Sequence, residues 1–230
     1  MPQLEDARVL VRLTPASDDL LFAYDVSTNT VRTITLSGLQ QTQFDYLQFN
    51  LSPTNVPTTE GTLSWDATDR TLKLQTDIPD TAIQVGQESL IRVHNNSGST
   101  ITNGQVVAIT GSTGQRASVS KAIASSASIV RSVIGVATHT MLHGEDGYVT
   151  TFGLVRDINT NAYNEGDTLY LSAATAGAIT KTAPTAPNYV IRIGWVVKKA
   201  GGAGMILAAP DREICYQSVV DALGFVPAPA

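Results

Sequence analysis

The sequence predicts a mainly β protein: a β-barrel or sandwich module with duplicated half-units, N-terminal β-hairpins and a short C-terminal helix. Three observations predict it. From Gln84 onward, short apolar runs recur every ten to fifteen residues or so, separated by Gly104, Gly111, Gly144, Gly153, Gly166 and Gly177; this spacing suits a sandwich or barrel rather than strands joined by crossover helices. In the two hairpins that precede this module, apolar residues alternate with polar ones, the period of a strand with one buried face. Third, three motifs recur in the same order about sixty residues apart, as in a duplicated supersecondary unit. Asn103-Gly104-Gln105-Val106-Val107 is echoed by Glu165-Gly166-Asp167-Thr168-Leu169, Ile134-Gly135-Val136-Ala137 by Ile193-Gly194-Trp195-Val196, and Gly147-Tyr148-Val149-Thr150 by Gly204-Met205-Ile206-Leu207.

In chain order, the first element is a hairpin from about residue 20 to 36. Leu21, Phe22 and Tyr24 lead into the polar turn Asp25-Val26-Ser27-Thr28-Asn29-Thr30, and Val31 to Leu36 resumes alternation. A lone two-stranded hairpin is marginal in water, so this one is expected to rest on the main module or on another subunit. Between Ser37 and Pro57, Phe44, Tyr46, Leu47, Phe49 and Leu51 put apolar bulk on both parities, and Pro53 and Pro57 block a long helix. The stretch reads either as a connector or as an arm crossing to another chain. A second hairpin spans residues 61 to 75, with Leu63 and Trp65, then Leu72 and Leu74, each at spacing two around the turn Asp66-Ala67-Thr68-Asp69. Those carboxylates lack the ligand spacing of a calcium loop and are read as turn chemistry.

The long module follows. Its one predicted interruption is the Ala- and Ser-rich stretch from Lys121 to Val130, read as a helical turn or a long loop. After Pro210, Asp211 caps an expected short helix carrying Ile214, Val219, Val220 and Leu223, ended by Gly224, Pro227 and Pro229. The expected organisation is an attachment hairpin and arm over residues 1–60, a β module over 61–209, and a C-terminal tail over 210–230.

Composition removes several function classes. A net charge of −5, with Lys198-Lys199 as the nearest approach to a basic cluster, leaves nothing to neutralise a phosphate backbone, so no nucleic-acid partner is expected. No apolar run approaches the roughly twenty residues of a spanning helix, and Met1 to Asp6 is acidic where a secretory signal is basic. A protein made in a cytoplasm, without a membrane partner, is expected. The single cysteine, Cys215, cannot form an intrachain disulfide and is read as a buried thiol.

Candidate chemistry is sparse. His139, His143, Glu145 and Asp146 form the one cluster of metal-capable side chains, but it lies between β stretches and ends in a glycine turn, so a solvated loop is expected and no metal or cofactor. Gly111-Ser112-Thr113-Gly114 is neither a nucleophile elbow nor a phosphate loop, and Gly201-Gly202-Ala203-Gly204 lacks the strand-to-helix setting of a dinucleotide site. Glu88, Glu145 and Glu165 are scattered singly. No catalytic residue is assigned, and the chain is not expected to be an enzyme.

Taken together, Gly61-Thr62-Leu63-Ser64-Trp65-Asp66, Gln84-Val85-Gly86-Gln87-Glu88, Asn103 to Val107, Ile134 to Ala137, Gly147 to Arg156, Gly166 to Ser172 and Pro184 to Asn188 resemble a β module of tailed-bacteriophage virion structural proteins. The stretch from Ile134 to Val155 is similar to the small barrel of capsid decoration, or cement, proteins. Residues 17 to 39 are similar to the N-terminal attachment segments of some phage fibre proteins. The resemblance implies a virion component, commonly a homotrimer, with no catalysis. Its expected partners are other copies of itself and the major capsid protein or, alternatively, tail or portal proteins.

Large aromatics dominate interface energetics, so Phe22, Tyr24, Phe44, Tyr46 and Phe49, with Ile214 and Leu223 of the tail, are the candidate subunit or capsid anchors; packing within the chain is the other role open to them. A capsid decoration protein or short head fibre is the first functional reading, and a tail-associated adaptor or tail-fibre base the second. A third is a carbohydrate-binding module, in which Trp65, Tyr148, Tyr163, Tyr170 and Trp195 would form one sugar-stacking platform.

Overall fold

A computed structural model describes residues 47–79 and 81–211, together with the backbone of strands β1 (Leu20–Asp25) and β2 (Thr30–Thr35). The chain divides into two units, Met1–Phe49 and Asn50–Ala230. In the first, β1 and β2 pair antiparallel without a break from Leu20↔Thr35 to Asp25↔Thr30, as the alternation on either side of the polar turn predicts. The expected C-terminal helix lies outside the described residues.

The second unit begins with a three-stranded antiparallel sheet, β3 (Leu63–Asp66), β4 (Thr71–Gln75) and β5 (Ala82–Gln84). Its first turn is closed by Asp66, whose Oδ1 accepts the backbone N–H groups of Thr68 at 2.9 Å and Asp69 at 3.1 Å. The Asp69 N–H, more than any other neighbour, holds the Asp66 carboxyl below the usual carboxylate range. This is the turn chemistry expected of the second hairpin; the third strand was not foreseen.

The remaining described residues of the unit form a nine-stranded array: β6 (Ser89–Asn95), β7 (Val106–Thr113), β8 (Arg116–Lys121), β9 (Val133–Ala137), β10 (Asp146–Ile158), β11 (Thr168–Leu171), β12 (Ile179–Thr180), β13 (Arg192–Lys198) and β14 (Gly204–Ala208). A single helical turn, α1 (Ala127–Val130), stands where the Ala- and Ser-rich stretch predicted an interruption. Five strands close a barrel: β6 pairs β8, β8 pairs β7, β7 pairs β9, β9 pairs β10, and β10 returns to β6. All five contacts are antiparallel except β6 with β8, which is parallel from Val93↔Ala117 to Asn95↔Val119. The first half of β10 belongs to this barrel, while its second half pairs β14 and opens a further run, β14-β13-β11-β12.

That run repeats the barrel pairing by pairing. Val106 and Val107 of β7 stand opposite Val136 and Gly135 of β9; at the matching positions Thr168 and Leu169 of β11 stand opposite Trp195 and Gly194 of β13. A register shift follows at once in both pairs, before Ala108 in one and before Tyr170 in the other. The turns match as well. Gly104, with φ 85°, donates its N–H to Ala137 O at 2.9 Å, and Gly166, also with φ 85°, donates to Val196 O at 2.8 Å. Glycine is needed at both, since that φ favours a residue without Cβ. The repeat omits one contact: β12 does not pair the second half of β10 as β8 pairs β6, so the second half-unit is an open copy of the closed first.

Two cores result. Val93, Ile101, Val107, Val119, Ala137, Met141 and Val149 fill the barrel. Val106, Ala108 and Val136, which alternate with barrel residues and so lie on its outer wall, join Leu169, Ile193, Val196 and Ile206 of the open copy in a larger cluster. This is why Val106, Val107 and Ala108 are consecutively buried rather than alternating: both faces of β7 are covered.

Candidate functional site

The most elaborate side-chain chemistry lies where the three-stranded sheet meets the barrel. Two acidic residues at opposite ends of β4 reach across. Asp77, just beyond β4, pairs with Arg92 of β6 at 2.8 Å and accepts the Tyr148 hydroxyl of β10 at 2.9 Å, with the Arg92 guanidinium 5.9 Å from the Tyr148 ring centre. Burial, and then the bond to Asp77, push the Tyr148 hydroxyl above its ordinary value. In the β3–β4 turn, Asp69 meets Arg156 at 3.1 Å; the same guanidinium also binds Glu88, whose side chain is only 3% exposed.

These contacts are worth different amounts. The pairs of Asp77 and Asp69 are part-exposed and stabilise by about 0–1 kcal/mol each. In the Glu88 pair the carboxylate is buried while Arg156 is 30% exposed, so the guanidinium is the counter-charge that lets Glu88 stay ionised there. The polar side of the sheet is sealed alongside: Gln75 is 6% exposed and donates to Thr81 O at 3.0 Å, and Gln84 is 7% exposed with Asp66 Oδ2 at 3.5 Å. Sequence reasoning took Glu88 as an isolated carboxylate. Its partner stands 68 residues away, and nothing local marks the pair beyond a carboxylate set just before an alternating strand.

The histidine cluster is divided among separate partners: Asp146 pairs with Arg116 at 2.9 Å and with His94 at 3.0 Å, and both histidines meet backbone donors. Gly98 N–H points to His143 Nδ1 at 3.2 Å, and Tyr148 N–H to His139 Nε2 at 3.4 Å. Among the described residues, no group of three or more His, Cys, Asp and Glu side chains is placed to hold a metal ion. Burial lowers the His139 pKa below the ordinary 6.5, so the folded chain binds fewer protons there than the unfolded chain. Stability from this group is complete above the unfolded-state value and is lost as pH falls through the lower folded-state value. We expect the wild-type melting temperature to drop between about pH 7 and pH 5, and that slope to flatten in His139→Gln. Equal slopes in thermal scans across that range would exclude His139 as the cause.

Of the anchors expected from sequence, Phe22 and Tyr24 fall two residues apart in β1, opposite Thr33 and Val31. Phe49 is half-buried in a segment without regular structure. Phe44, Tyr46, Ile214 and Leu223 lie outside the described residues, as does Cys215. The five rings of the sugar-platform reading are spread out. Trp65 is in β3, Tyr148 is held at Asp77, and Tyr163 donates its hydroxyl to Ile179 O at 2.9 Å, while Tyr170 and Trp195 stand on neighbouring strands, with Arg192 4.7 Å from the Trp195 ring centre. Among the described residues no helix is long and apolar enough to cross a membrane.

The comparisons agree with this geometry. No curated protein sequence matches the chain. A family model described as phage cement protein matches residues 83–209, which begins within β5 and takes in the closed barrel, its open copy and α1. That match runs over more than half of the chain and coincides with the duplicated β module, so the chain belongs to the phage cement protein family and is a virion component.

Proposed function

We propose that this protein is a non-enzymatic capsid decoration protein, or short head fibre, that acts as a homotrimer and stabilises the head by bridging major capsid protein subunits. The observation that carries the reading is the coincidence of the cement-family match with the closed barrel and its open copy. The division of labour follows: residues 61–209 form the rigid body, and residues 1–60 and 210–230 are the attachment segments, with Phe22, Tyr24, Phe44, Tyr46, Phe49, Ile214 and Leu223 among their anchors. Several modest apolar contacts per chain, made at once by three chains, give tight attachment through effective concentration. The barrel suits persistence outside a cell because closure leaves its five strands no free edge at which other chains can add.

Copy number tests it. Quantitative mass spectrometry of purified particles should give on the order of hundreds of copies, in fixed ratio to the major capsid protein, because a decoration protein occupies a repeated lattice site. A count of roughly three to twelve would instead assign it to the tail or a unique vertex, as an adaptor or fibre base.

A further inference from the structure

The three-stranded sheet is turned inside out relative to the rest of the molecule. Its register places Leu63, Leu74 and Ile83 side by side in one row, and Trp65 beside Leu72 in the next, with Val85 bonded to Leu72 O at 2.8 Å. These six residues share one face. None is buried: Leu63 and Val85 are 43% and 46% exposed and the other four are half-buried, and none belongs to either core. The buried side chains are on the polar face, Gln75 and Gln84. The opposite face is the one turned to the barrel, since Asp69 meets Arg156 and Asp77 meets Arg92 and Tyr148 at opposite ends of β4. An apolar sheet face turned outward marks an interaction surface.

We infer that this face is covered by other copies of the same chain, three such faces meeting about a threefold axis. The inference rests on the homotrimer reading above and locates the contact. The face carries no ionisable side chain, so identical faces meet without like charges opposed, which matters in a chain of net charge −5. Three short strands about 4.8 Å apart make a narrow strip suited to sheet-on-sheet packing. Six side chains offer less than the roughly 800 Å² per partner of a stable interface, so this strip is one part of the contact between copies.

The test compares the full chain with Leu63→Glu/Val85→Glu by light-scattering mass and thermal melting. Both positions are exposed in the single chain, so the barrel should melt as in wild type while association weakens more than about tenfold. The expected result is a wild-type mass of three chains and a variant mass of one chain, 24.3 kDa. A variant that remains trimeric overturns the assignment of this face and leaves the trimer reading standing. A wild type that is monomeric on its own and on the particle overturns both. Leu63→Lys/Val85→Lys must dissociate as well; if lysine preserves the trimer, net charge rather than the apolar face governs assembly and the inference fails.

Discussion

Gly194→Ala should cost more than about 4 kcal/mol and lower the melting temperature by roughly 8–16 °C, the largest effect expected of any single methyl group in the described structure. A Cβ on Gly194 would lie 1.8 Å from Leu207 O, a backbone atom of the neighbouring strand β14, and φ at Gly194 is +154°, which side chains other than glycine's rarely adopt. Nothing at the contact is a flexible side-chain end, so relief requires parting β13 from β14. Gly135 occupies the same place in the closed barrel, where a Cβ would lie 2.2 Å from Thr150 O of β10. Gly135→Ala should therefore be comparably damaging, though without a penalty from φ. Gly202→Ala, with nothing within 4 Å of its Cβ, is the control and should fall within about 0.5 kcal/mol of wild type. Denaturant melts of the three variants decide the matter; a mild Gly194→Ala would mean that the two strands separate more easily than their register implies.

Arg156→Met should cost about 3–5 kcal/mol, because it leaves the Glu88 carboxylate buried without a counter-charge. The loss of the part-exposed Asp69 contact adds little. The diagnosis lies in the double variant: Glu88→Gln/Arg156→Met should regain most of that stability, since the stranded charge is gone. If both variants are equally unstable in urea melts, Arg156 contributes through packing of its methylene stem and not through Glu88. The same pair carries a structural consequence. Asp69 and Glu88 bracket the three-stranded sheet, so Arg156→Met should also loosen that sheet against the barrel, visible as faster amide exchange over β3–β5 than over β6–β9.

Much of this architecture was legible in the residues. Period-two alternation around Asp66–Asp69 marked β3 and β4, and the polar turn after Asp25 marked β1 and β2, because turn chemistry and side-chain parity act within a few residues. The duplication was legible through short glycine-bearing motifs, and those motifs proved to carry the geometry. Gly104 and Gly166 form the same turn, and Gly135 and Gly194 allow the same close approach of backbones. The Ala- and Ser-rich interruption near Val130 appeared as one helical turn.

What the residues did not disclose depends on contacts between distant parts of the chain. Barrel closure rests on the parallel pairing of β6 with β8, and β8, Arg-Ala-Ser-Val-Ser-Lys, has too little apolar alternation to announce itself as a central strand. The Glu88–Arg156 and Asp77–Tyr148 pairs join residues 68 and 71 apart, a separation over which local pattern carries no signal. For the same reason the sequence by itself determined that β3 and β4 have an apolar face but not which way that face points. Parity belongs to the strand, whereas inside and outside are set by which face seats on the barrel, where Gln75 and Gln84 are buried. Tertiary structure alone decided that the apolar side of this sheet is the one left open.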